Sequence, residues 1–80
     1  MYTDQMRMAF HSLSSYAPKG FGLTILDNDQ FLTVRANEKE FMSLVDEDKR
    51  RAVDYMVRVK KALEDNGAIV LLVREGGEGI

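Results

Sequence analysis

Six consecutive apolar residues, Ala68-Ile69-Val70-Leu71-Leu72-Val73, stand just before a glycine-rich end, and where they can sit limits the fold more than any other feature of the chain. The run is too short for a helix and rich in strand formers, so it predicts a strand buried on both faces. Upstream, Phe21, Leu23 and Ile25 alternate with Gly22, Thr24 and Leu26, the period of a strand with one buried face. A second such strand lies in residues 30–36, with Leu32, Val34 and Ala36 toward the core and Phe31 pointing away from it. The intervening Asp27-Asn28-Asp29 consists of residues that tolerate turn conformations, so the two segments should form a tight hairpin. A loop that short makes these two strands neighbours and leaves the third only an outer place in a three-stranded sheet.

Helical spacing fills the rest of the chain. Tyr2, Met6, Ala9, Leu13 and Tyr16 line one face of a short amphipathic helix with Thr3 or Asp4 as its cap; Ser14 and Ser15 weaken it, and Pro18 with Lys19-Gly20 ends it. Asn37 with Glu40 three residues on has the form of a capping box, predicting a helix from Glu38 with Phe41, Leu44 and Val45 turned inward. A second cap signal at Asp46, with Glu47 and Asp48 favourable to the helix dipole, predicts a break or kink before a longer helix running to about Asp65. On that helix Ala52, Tyr55, Met56, Val59 and Leu63 share one face, and Asn66-Gly67 supplies the stop. The expected order is α-β-β-α(α)-β: an α+β domain over residues 1–75, followed by a flexible glycine-rich tail at 76–80.

Eighty residues bury only about 60–65% of the surface that the unfolded chain exposes, which excludes a deep cleft between two domains. A net charge of −2 argues against coating nucleic acid through bulk positive charge. The chain has no cysteine, so disulfides, thiolate nucleophiles and cysteine-bound zinc are all excluded. Asp4 stands where a signal peptide would carry basic residues, and no apolar run approaches the length of a bilayer span. These features suggest a cytoplasmic protein without a membrane partner, and none of them calls for a cofactor.

The topology carries the functional expectation. An outer strand is normally protected by charge, proline or a bulge, and Ile69, Val70, Leu71, Leu72 and Val73 offer none of these. The first and long helices could cover both apolar faces of the sheet, but they cannot satisfy the backbone donors and acceptors of its edge. A second subunit or a strand of a larger protein would satisfy them, so the chain reads as a non-catalytic binding or regulatory module, a homodimer or an accessory chain. The solvated alternative is a short edge merely exposed to water, or one flanked by the first helix. Met8, off the buried face of the first helix and beside His11, is a further candidate contact.

The near-neutral total conceals two blocks. Residues 38–48 hold five acids and one base; residues 49–61 hold six bases and one acid, Asp54. Arg50, Arg51, Arg58 and Lys61 fall opposite Met56 and Leu63, an exposed basic stripe that could contact phosphates and supports the alternative of a nucleic-acid binder. Against it, Asp46 with Arg50, Glu47 with Arg51 and Asp54 with Arg58 are acid-first pairs at i,i+4 that lace an ordinary solvated helix. Catalysis finds little support. His11 is the only histidine, and the adjacent Ser12 points elsewhere on a helix. Asp27 and Asp29 lack the further ligands of a calcium loop, and Gly76, Gly77 and Gly79 precede no helix that could present its N-terminus to a phosphate.

Overall fold

The computed structural model describes residues 1–75. The order of elements is α1 (Asp4–Ser12), a 3-10 turn (Ser14–Tyr16), β1 (Leu23–Asp27), β2 (Leu32–Asn37), α2 (Glu38–Met42), α3 (Asp46–Asp65) and β3 (Val70–Glu75). The fold is α+β, with a three-stranded mixed sheet in the order β1-β2-β3. β1 and β2 are antiparallel, pairing Ile25 with Val34, whereas β3 runs parallel to β2, pairing Leu32 with Val70 and Val34 with Leu72. A parallel neighbour requires a crossover, which α2 and α3 supply.

Local chemistry sets the boundaries. The Thr3 hydroxyl accepts a hydrogen bond from the Met6 amide and caps α1. The Asn37 carboxamide oxygen does the same for α2 through the Glu40 amide. The hairpin closes through side chains: Asp27 accepts from the Asp29 amide and Asn28 from those of Gln30 and Phe31, while Asp29 takes a positive φ of 78°. At the end of α3 the Ala68 amide donates to the Leu63 carbonyl and the Gly67 amide to that of Glu64. This is a Schellman closure, and it needs Gly67 at φ 100°. The expected break between the helices is a true interruption, but the residue in the cap position is Val45 and Asp46 is already helical. Val45 is consequently exposed rather than turned inward.

One core holds the molecule together. Met6 of α1, Phe41 of α2, and Ala52, Tyr55, Met56, Val59 and Leu63 of α3 pack on Leu32, Val34 and Ala36 of β2 and on Val70 of β3. Leu23 and Ile25 of β1 join its margin. Because all three helices contribute to this one cluster, they share one face of the sheet and do not enclose it. The opposite face, carrying Thr24 and Leu26 of β1, Thr33 and Arg35 of β2, and Leu71 and Val73 of β3, is left exposed or half-buried. The Cα envelope, 33 × 29 × 14 Å, has the thin dimension of two layers.

The reading of residues 68–73 as a strand buried on both faces is therefore overturned. Val70 alone in β3 is buried; Leu71 and Leu72 are exposed, and the strand starts at Val70 and runs to Glu75. Phe31 points away from the core, as expected, and is half-buried. The glycine-rich tail at 76–80 lies outside the described residues.

Candidate functional site

The parallel register decides which backbone groups of β3 face inward. The Leu32 amide donates to the Ile69 carbonyl at 2.8 Å, and Leu32 is paired with Val70. In such a ladder Leu32 bonds to the residues flanking its partner, so Ile69, Leu71, Val73 and Glu75 turn their amides and carbonyls toward β2. Val70, Leu72 and Arg74 turn theirs outward, and no strand among the described residues pairs with them. Beside this row of backbone groups stand exposed apolar side chains: Ile69 is 68% exposed, Leu71 47% and Leu72 37%.

The charges near this edge are engaged within the chain. Arg74 forms an ion pair with Glu38 at 3.1 Å and lies over the Phe41 ring, 4.3 Å from its centroid, which ties the end of β3 to α2. Glu75 lies 3.8 Å from Arg35 on the open face. Neither leaves a charge across the stretch from Ile69 to Val73, where a guarded edge would place one.

The other edge of the sheet differs. At the end of β1 the Asp27 carboxylate accepts from the amine of Met1 and from the Tyr2 amide at 2.8 Å, so the start of the chain is fastened beside β1. The amine, the Asp29 amide and the Tyr2 amide together hold the Asp27 carboxyl at about 2, below its ordinary value of 3.8. A charge and the start of the chain thus mark the end of β1, whereas the charges of β3 stand only at its end, in Arg74 and Glu75, and leave Val70 to Val73 uncharged.

On α3, three of the four basic-stripe residues already have acid partners. Arg58 donates to Asp54 at 2.7 Å, with Tyr16 beneath it at 4.1 Å. The hydrogen bond to Asp54 raises the Arg58 guanidinium's affinity for its proton. Arg51 pairs with Asp48 at 3.5 Å instead of the expected Glu47, and Lys61 with Asp65 at 3.4 Å. Arg50 makes no ion pair among the described residues, so the expected contact with Asp46 is not formed. The stripe is a laced helix surface in which each of these paired cations faces a neighbouring carboxylate.

Met8 is exposed on α1, which packs chiefly on α3, so the fold gives it no place in the row formed by Ile69–Val73. His11 is exposed and its ring lies tilted against Phe10, centroids 5.6 Å apart, while the adjacent Ser12 hydroxyl donates to the Ala9 carbonyl. Among the described residues no three His, Cys, Asp or Glu side chains gather as a metal site. No helix among them is long and apolar enough to cross a membrane.

Two apolar residues escaped the sequence reading. Val53 and Val57 are 45% and 53% exposed on α3. At 100° per residue they lie on the flank opposite Arg58, and Arg58 is the side that meets Tyr16 and α1. Their i,i+4 spacing outside the Ala52–Met56–Val59 face is the sequence signal for them. Compared with protein-family models, with curated proteins and with solved structures, the chain matches none of them.

Proposed function

We propose that the chain is a small non-catalytic protein-binding or regulatory module that extends its sheet through the outer edge of β3, as a homodimer or as an accessory chain on a larger protein. One observation carries this reading. The outward backbone groups of Val70, Leu72 and Arg74 have no strand partner among the described residues, and Leu71 and Leu72 of that strand, with Ile69 just before it, are exposed and uncharged. A strand added there would satisfy those groups and cover apolar side chains at the same time, the combination that makes strand addition a common mode of protein recognition.

The test uses a single substitution. Leu72→Pro removes an amide that serves no ladder bond inside the chain and would be needed by an added strand. Wild type and variant are compared by size exclusion with light scattering and by affinity capture from the native host. The reading expects an assembly or a defined protein partner that is held by wild type and lost with Leu72→Pro. A monomeric wild type whose captured material is the same as the variant's would overturn it, as would nucleic acid that co-purifies equally with both.

A further inference from the structure

We infer that the occupant of the β3 edge is a second copy of this chain, joined antiparallel about a two-fold axis that passes through Leu71. The inference rests on the edge reading above and adds the partner and the register to it.

Opposed residues in an antiparallel pair point to the same face, so the axis of a symmetric pair must pass through a residue position and not between two. With the axis at Leu71, Leu71 meets its own copy, Val70 meets Leu72, and Ile69 meets Val73. From Ile69 to Val73 every opposed pair is apolar, with a β-branched residue against another on the open face; beyond them Arg74 meets Ala68 and Glu75 meets Gly67, so no like charges are in contact. Moving the axis to Leu72 sets Val70 against Arg74 and Ile69 against Glu75, and would draw Arg74 away from Glu38 and Phe41. Moving the axis to Val70 also opposes apolar residues, but it sets Leu71 and Leu72 against Ile69 and Ala68, which precede β3; the Leu71 axis is the one that keeps the apolar pairs centred on the strand.

The backbone agrees with that register. Leu71 spends its amide and carbonyl on β2, so its pair across the axis is a non-hydrogen-bonded one, with Cα atoms about 4.5 Å apart. The two flanking pairs, Val70 with Leu72 and Leu72 with Val70, use the outward groups that nothing else in the described chain engages. The helical layer leaves room. α3 lies over β2 and β3, so with strands about 4.8 Å apart its copy would run about 10 Å away, a packing distance for helices. The flank turned toward that copy is the one away from α1, which carries the exposed Val53 and Val57. A lone strand from another protein would give those two valines nothing to meet.

The chain has no cysteine, so single cysteines report the register directly. Leu71→Cys would place two sulfurs at the axis with Cα atoms inside the disulfide range. Ile69→Cys and Leu72→Cys would each stand too far from their own copies. Under mild oxidation Leu71→Cys should cross-link about 10-fold faster than Ile69→Cys, although Ile69 is the more exposed side chain. Wild type should be dimeric by light scattering, and Leu72→Pro monomeric. In the unmodified chain, amide exchange at Val70 and Leu72 should slow as concentration rises, a readout that does not depend on any variant folding.

Fast cross-linking at Leu72 would overturn the register. Equal cross-linking at Leu71 and Ile69, with exchange independent of concentration, would overturn the second copy. If a captured protein is still lost with Leu72→Pro in that case, the edge reading survives without the homodimer; if nothing is lost, both fail.

Discussion

Two prolines one residue apart measure the alternation of β3 directly. Leu71→Pro and Leu72→Pro remove similar side chains, since each leucine is roughly half exposed at 47% and 37%. Losing that partial burial costs about 1–1.5 kcal/mol in either variant. The backbone terms differ. The Leu71 amide faces the Leu32 carbonyl in the ladder, and Leu32 is fully buried. Proline at 71 removes that donor and strands a buried acceptor, adding about 1–3 kcal/mol. Proline at 72 removes an amide that points to solvent in the single chain and adds little. The expected losses are therefore about 2–4 kcal/mol for Leu71→Pro and about 1–1.5 kcal/mol for Leu72→Pro, against a total stability of about 4–12 kcal/mol for a domain of this size. Urea unfolding followed by circular dichroism, at protein concentrations low enough to keep the chain monomeric, reads the difference as a gap of about 1–2 M in midpoint. Equal losses, or the larger loss at 72, would mean that the amides of β3 alternate the other way, and the assignment of its outward edge would fall with it.

Further substitutions test the core, the turns and the surface. Leu63→Ala empties a fully buried site that also backs Ala68 in the helix stop, and should cost about 2–5 kcal/mol in denaturant unfolding. Gly67→Ala meets no atom within 4 Å but must hold φ near 100°, so its cost of about 1–2 kcal/mol should be conformational, with Gly67→Asn milder in the same assay. Because the Asp27 carboxyl sits at about 2 when folded and near 3.8 otherwise, its contribution is complete above pH 4 and is lost as pH falls toward 2. Wild type should therefore exceed Asp27→Asn in stability at pH 6 and converge with it near pH 2, as thermal melts across that range would report. Arg58→Ala breaks the contacts to Asp54 and Tyr16 and should lower the melting temperature measurably, whereas Arg50→Ala, which loses no ion pair among the described residues, should leave it nearly unchanged.

The sequence disclosed what depends on neighbours a few residues away. Thr3 and Asn37 as caps, Gly67 as a left-handed stop, and the core face of Leu32, Val34 and Ala36 follow from side-chain chemistry and from periods of 3.6 and 2, and each stands where that chemistry puts it. Hairpin length likewise fixed the outer place of β3. What the residues concealed depends on how many layers the chain builds. An unbroken apolar strand is the usual mark of a sheet covered on both sides, and periodicity cannot say whether α1 will lie across the sheet from α3 or beside it. Met6 settles the matter by packing into the same cluster as Val59 and Leu63, which uncovers Leu71. The ion pairs were legible as a class but not one by one, because Arg51 reaches Asp48 as easily as Glu47 on a helix surface.

The surplus of apolar residues in β3 has a physical meaning once the layers are counted. The core face needs Val70, and β2 supplies the rest of it through Leu32, Val34 and Ala36. Ile69, Leu71 and Leu72 each stay at least a third exposed in the folded single chain and so bring less than a buried side chain would, yet each raises the risk of unwanted association along a stretch, Ile69 to Val73, without charge, proline or bulge. On stability alone, lysine at these positions, whose methylene stem covers part of the same surface, would cost the monomer no more than about 1 kcal/mol and guard the edge better. Replacing Leu71 by Lys therefore separates two accounts of the same residues. If they serve only the fold, Leu71→Lys should leave association unchanged and shift stability by no more than about 1 kcal/mol. If they serve a symmetric pairing, the substitution sets two lysines directly opposite each other, on Cα atoms about 4.5 Å apart at the axis, in place of an apolar contact, and the assembly should dissociate while the monomer unfolds at nearly the same urea concentration as wild type.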